Sequence, residues 1–169
     1  MMALFAHGAG GSGWGGPIEP WELHPMLVHF PIALLLGGVA LDLYARWRGR
    51  PNLLPTVRGM LVAGVVTGVF AALAGLLAFF TVPAHTEEAH RLMYWHLGVQ
   101  SAALALYAWP AWAMRGDPGV ATRGARVAGW VAAALLLVGS GIGGYVVYHG
   151  GAGVDPALLS YEVREGHGH

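Results

Sequence analysis

Four apolar stretches, 26–47, 57–82, 92–114 and 127–148, occupy most of this 169-residue chain. Each reaches the roughly 20 residues needed to cross a hydrocarbon layer about 30 Å thick. Backbone amides cannot stay unpaired in lipid, so runs of this kind are expected to form helices. The connections are short, which makes successive helices neighbours of opposite direction. The expected fold class is therefore all-α, an integral membrane four-helix up-down-up-down bundle. Composition agrees, with 56% of residues hydrophobic and 11% charged, unlike a water-soluble domain.

The helices are expected over about 25–47, 57–82, 87–114 and 124–149, within a transmembrane domain spanning 21–150. A flexible Gly-rich tail precedes it (1–20) and a polar tail follows (151–169). Residues 1–20 have neither a basic leader nor a full apolar h-region, so no cleaved signal peptide is expected. His24 falls near the first helix start with Pro25 at the first helical position. Pro31 removes the bond to the Leu27 carbonyl, so the segment either kinks there or starts its regular helix there after an interfacial coil. Gly64 and Gly68 have GxxxG spacing for close helix approach. Thr86 reads as a helix cap, and Asp42 with Arg46 as an i,i+4 ion pair.

All nine basic residues are arginine, and they are unevenly placed. Arg46, Arg48, Arg50 and Arg58 flank the first connection and Arg115, Arg123 and Arg126 the third, against only Arg91 and Arg164 elsewhere. Seven against two is a positive-inside signal that puts both termini outside, N-out and C-out. The absence of cysteine excludes disulfides and thiolate-held metals and leaves histidine as the main soft ligand. Arginines facing headgroups in two short loops give no basis for nucleic-acid binding. No Ser/His/Asp arrangement, P-loop, HExxH or dinucleotide fingerprint is present. The chain reads as an electron carrier or accessory subunit rather than a stand-alone enzyme.

The histidines gather at one side. His24, His29, His85, His90, His96 and His149 all fall at outer helix ends, and no inner end carries one. Counting about 1.5 Å per residue outward from the arginines, His29 lies roughly 25 Å up and His96 about 28 Å, whereas His24 and His149 reach about 33–34 Å. His29 and His96 are therefore expected to be buried at one level on different helices, as the two axial ligands of a haem iron are. Gly75, Gly139, Gly143 and Gly144 lie in the outer half, where small residues leave a slot for a flat cofactor. Gln100 or Tyr145 would hydrogen-bond a ligand or propionate. His149 is an alternative axial ligand, and His24 and His90 are further metal-ligand candidates. Met26 and Met93 read as core filler.

Three motifs carry a family likeness: His24-Pro-Met-Leu-Val-His29-Phe-Pro-Ile-Ala-Leu, His96-Leu-Gly, and Tyr148-His149-Gly-Gly-Ala-Gly-Val. The chain resembles, over about 21–154, the bacterial predicted membrane proteins grouped as domain of unknown function 2231. The resemblance implies a four-helix protein of the bacterial inner (cytoplasmic) membrane, in a redox context in some relatives, with no settled activity.

The leading expectation is a small membrane electron-transfer subunit resembling a b-type cytochrome, with heme b held by histidines near the periplasmic face. Beyond the lipid bilayer, its expected partner is a periplasmic redox protein, a quinone or a larger membrane complex. The alternatives are a non-haem protein binding or transporting copper, zinc or iron through the same histidines, and a structural membrane subunit.

Overall fold

The computed structural model describes residues 18–82, 86–115 and 122–153. The Gly-rich start, His85 and the final Gly-His-Gly-His lie outside the described residues. Every regular element among the described residues is helical: a short α1 (Leu23–Leu27), then α2 (His29–Trp47), α3 (Leu54–Thr81), α4 (Glu87–Ala113) and α5 (Arg123–Tyr148). The four long helices fall where hydropathy places them, to within a few residues.

The helical course begins earlier than Pro25. A 3₁₀ turn, Pro20–Glu22, leads directly into α1, and the Glu19 N–H donates to Glu22 Oε2 at 3.0 Å. His24 consequently sits inside a helix rather than at its cap. Pro31 has no N–H to give Leu27, and the chain breaks register at Val28. Helical bonds continue on either side, from the Val28 N–H to the His24 carbonyl at 3.1 Å and from the Ile32 N–H to the Val28 carbonyl at 3.2 Å. Proline thus interrupts the helix without turning the preceding segment into coil.

Buried positions recur at alternating steps of three and four along each helix. They are Pro31, Leu35, Gly38, Asp42 and Ala45 on α2, and Leu54, Val57, Leu61, Gly64, Gly68 and Ala71 on α3. Ala103, Tyr107 and Pro110 on α4 and Ala125, Gly129, Ala132, Leu136 and Gly139 on α5 continue the pattern. This spacing, close to 3.5 residues, is the one by which neighbouring helices keep a continuous seam in contact. Contacts climb one helix while descending the next: Gly38 faces Leu61, Gly64 faces Leu35, Gly68 faces Pro31 and Gly75 faces His24. Between α4 and α5, Gly129 faces Pro110, Gly139 faces Gln100, Gly143 faces His96 and Gly150 faces Ala89.

Small residues fill the seams, and large apolar ones such as Phe70, Leu73, Phe80 and Leu137 point outward. That inversion suits lipid, where association depends on close packing rather than on hiding apolar surface. At Gly64 even a methyl group would come within 2.6 Å of Leu35 Cδ2. Pro20–Trp47, Pro51–Thr81 and Arg123–Tyr148 are each long and apolar enough to cross a membrane. The apolar span expected over 92–114 forms a helix of the right length, 27 residues, but not one apolar enough to join those three. His96, Gln100 and Ser101 interrupt it, and Tyr107, Trp109, Pro110 and Trp112 are less apolar than the aliphatic residues they replace.

Local chemistry fixes the ends. Thr86 Oγ1 accepts from the Ala89 N–H at 3.1 Å, and Thr122 Oγ1 from the Ala125 N–H at 3.2 Å. α5 ends where Gly151 takes a positive φ of 69°, its N–H reaching the Val147 carbonyl at 3.2 Å and the Ala152 N–H reaching Val146 at 3.4 Å. The Thr86 N–H meets the Gly150 carbonyl at 3.4 Å, which ties the start of α4 to the end of α5. At the opposite pole Arg46 Nε pairs with Asp42 Oδ1 at 2.8 Å, as the i,i+4 spacing predicts.

Candidate functional site

The seam of α2, carried back through the Val28 break in steps of three and four, runs Leu35, Pro31, Val28, His24. His24 therefore points into the bundle. His96 occupies the equivalent place on α4, one step above Gln100 and two above Ala103. The two imidazoles face each other with ring centres 6.0 Å apart and planes at 84°.

One device holds both rings. His24 Nδ1 lies 2.9 Å from the Ala71 carbonyl oxygen, and His96 Nδ1 lies 2.8 Å from that of Gly139. A carbonyl only accepts, so each Nδ1 must carry the proton and donate it, which leaves Nε2 as the bare nitrogen of the neutral ring. Helical carbonyls are normally screened by the side chain four residues on. Those residues here are Gly75 and Gly143, and a Cβ on either would come within 2.8 Å of the imidazole beside it. Two glycines thus clear two carbonyls for two histidines.

Around and below the rings is a cavity of about 330 Å³. Its wall is almost wholly apolar, including Val28, Ile32, Leu35, Ala71, Phe79, Met93, Leu104 and Leu136. Glu22 and Trp21 stand at the mouth, while Gln100, Ser101 and Tyr107 add polar atoms deeper down. Gln100 Nε2 donates to Ser140 Oγ at 3.4 Å, and the Ser140 hydroxyl donates to the Leu136 carbonyl at 2.8 Å. Gln100 Oε1 and the Tyr107 hydroxyl are buried with no hydrogen-bond partner among the described residues.

Of the residues singled out by sequence, His24, His96, Gly75, Gly143 and Gln100 come together on this cavity. His29 does not. It is exposed on the outside of the bundle, because five residues past His24 is about 140° further around a helix. Depth alone placed it beside His96, and rotation separates them. His149 is exposed at the end of α5, stacked on Tyr145 with ring centres 4.3 Å apart. Tyr145 itself is 45% exposed. His90 lies on the outer surface of α4, against Phe79 at 5.5 Å and Tyr94 at 5.3 Å. A Cβ at Gly144 would meet nothing within 4 Å, so no close approach depends on that glycine. Among the described residues no group of three or more His, Asp or Glu is placed to hold a metal ion. Tyr107 and the two carbonyl acceptors were not legible beforehand. A tyrosine in an apolar run reads as an interface anchor, and carbonyls leave no mark in a sequence.

A family model of predicted membrane proteins, DUF2231, matches residues 20–156. The chain belongs to that family. No curated protein and no solved structure matches it. The match starts at the 3₁₀ turn before α1 and runs past the end of α5, so it takes in the whole histidine cavity of this DUF2231 protein.

Proposed function

We propose that this DUF2231 protein is a membrane electron-transfer subunit that holds a b-type haem between His24 and His96. The observation that carries the reading is the pair of imidazoles, each anchored through Nδ1 to a backbone carbonyl and set 6.0 Å apart over an apolar cavity. Metal-bound histidines are habitually fixed in this way through their second nitrogen. With about 2.0–2.1 Å from metal to nitrogen and about 1.1 Å from nitrogen to ring centre, two imidazoles on opposite sides of one metal stand roughly 6 Å apart. Two ligands are too few for a bare zinc site but suffice for an iron that brings its own four equatorial nitrogens. Bound there, haem iron would accept and release one electron. The chain's own part is to orient both rings, keep water from the cavity and set the polarity around it.

In this reading all four long helices cross the membrane in an up-down-up-down bundle, α4 included, since its polar residues turn inward. The arginine bias puts both termini on the periplasmic side of a bacterial inner membrane, with the histidines beneath that face. Arg115 over the Trp112 ring at 3.2 Å fits the opposite, cytoplasmic interface. Met93 on the cavity wall gives copper(I) a specific claim as second reading, because a thioether with two imidazoles suits that ion.

The test is an absorption spectrum of detergent-purified protein, oxidised and reduced, with metal analysis of the same sample. A Soret band lost in His24→Ala and in His96→Ala but kept in His29→Ala is the expected result. Stoichiometric copper without that band would favour the second reading. Neither, in protein made with ample haem and metals, would leave a structural subunit.

A further inference from the structure

The deep end of the cavity has a chemistry of its own. Tyr107 is fully buried, with a relative exposure of 0%, and its hydroxyl has no partner. Gln100 lines the same space, and its Oε1, buried beside Gly139, is also without a hydrogen-bond partner among the described residues. Its amide cannot simply be reversed, because the Ser140 hydroxyl spends its proton on Leu136 and offers Gln100 only an acceptor. A donor and an acceptor left open in an apolar chamber each cost stability unless something binds there.

Five cavity-lining residues also reach the outside: Pro25, Val147 and Gly153 near the outer end, and two further along α3 and α4. Ala72 of α3 and Ser101 of α4 are both exposed on the bundle surface. Between these two helices the contact of Gly68 with Leu104 closes the gap below, and Phe79 against Tyr94, ring centres 5.0 Å apart, closes it above. The stretch of wall between these contacts carries Ala72 and Ser101, on the side where apolar residues such as Phe70 and Leu73 are exposed.

We propose that the deep end binds the ring of an isoprenoid hydroquinone. One ring hydroxyl donates to Gln100 Oε1, the oxygen opposite accepts from the Tyr107 hydroxyl, and the tail leaves for the bilayer between Ala72 and Ser101. Tyr107 lies seven residues from Gln100, roughly 10 Å along the helix, a span that a para-substituted six-membered ring fills once both side chains reach inward. The oxidised quinone offers only acceptors and forfeits the bond to Gln100, so the site favours the reduced form. That such a ligand serves as electron partner rests on the haem reading above. Its binding does not.

The probes are decylubiquinol, kept reduced, and decylubiquinone, titrated against the full chain in nanodiscs, with bound ligand quantified after removal of free ligand. Saturable one-to-one binding is expected, with the reduced form about tenfold tighter, the worth of one hydrogen bond in a dry site. Gln100→Leu should abolish the preference, and Tyr107→Phe should weaken both forms about tenfold. Ala72→Trp, which narrows the opening while leaving the floor intact, should slow or block uptake. Equal affinity in wild type, Tyr107→Phe and Gln100→Leu, or no saturable binding, would overturn the proposal. His24→Ala with His96→Ala separates the two ideas. Loss of the Soret band with quinol binding kept is expected. A wild-type protein without that band would count against haem while leaving the quinol titration to decide this site.

Discussion

In the inner half of the bundle the helix seams meet as side chains. Val57, Leu61, Ala111 and Met114 belong to one cluster with almost no accessible surface, which Leu35 and Tyr107 join to the cavity wall above, and Asp42, the one buried carboxylate among the described residues, is paired with Arg46. In the outer half seams of the same period meet around an open volume, and His24, Gln100 and His96 stand on them where aliphatic residues stand below. The backbone geometry is shared, so the difference lies in what the repeat carries. Interlocking side chains make one half rigid. Glycines and polar groups give the other a chamber, with unpaired polar atoms among the residues that line it. Stability and binding should therefore separate by level, and substitutions at each level can break that division.

The largest effect expected on folding is at the inner level. Leu61→Ala removes a side chain 3% exposed in the middle of the cluster, and should lower unfolding stability by about 2–5 kcal/mol, transfer and cavity terms together. Denaturation in mixed micelles measures it. Cofactor or ligand bound per folded molecule should stay unchanged, and a parallel loss of binding would show that the two halves are not independent.

Asp42→Ala comes next. It strips Arg46 of the carboxylate that accepts its Nε–H and leaves a partly buried guanidinium with one donor fewer satisfied. The Asp42 side chain is 11% and the Arg46 side chain 25% exposed, so solvent screens part of the loss, and about 1–2 kcal/mol is expected in the same assay. Arg46→Gln added to Asp42→Ala should recover some of it. A double variant no better than the single would mean that Asp42 acts through packing and not through the pair.

Gly143→Leu moves the comparison to the outer half. A side chain there must displace the His96 ring from the Gly139 carbonyl, and loss of such a supporting bond typically costs about 10–100-fold in metal affinity. Haem or copper retention through dialysis against a chelator or apo-acceptor reports it. Thermal stability should change less than in Leu61→Ala, because the outer half has room for the shifted ring. Retention equal to wild type would mean that the Gly139 carbonyl does not govern the site.

These expectations also mark what was legible in the amino-acid sequence and what was not. Hydropathy set the four helices, because lipid leaves the backbone no other choice. The loop arginines and the Thr86 cap are local signals and could be read locally. The gathering of histidines at one end was legible as well, but a count along one axis sets His24 further out than His96, whereas the two rings stand 6.0 Å apart. Azimuth, which a count of depth leaves out, decides which histidine turns inward. The signal was present in the small and buried residues at 31, 35, 38, 42 and 45, whose spacing extends to His24 and passes His29 by. The polarity of α4 was visible too, but its meaning required knowing that His96, Gln100 and Tyr107 share one face of the cavity. That the Tyr107 hydroxyl lacks a partner depends on α2, α3 and α5 together, which no local pattern encodes.

His29→Ala is the smallest change expected and the sharpest probe of that point. His24 and His29 lie five residues apart in one motif, so motif membership and residue type treat them alike, while a count of depth along the helix favours His29. The fold does not, since His24 turns inward to the Ala71 carbonyl while His29 is exposed. Removing an exposed imidazole should alter stability by less than about 0.5 kcal/mol and leave spectrum, metal content and quinol binding as in wild type. His24→Ala should remove the Soret band in the same preparation. If the two variants exchanged these outcomes, the helical phase before Pro31 would have to be rotated by more than a third of a turn. The seam could then no longer run unbroken from Ala45 to the histidine level, and the chamber would lose its wall on that side.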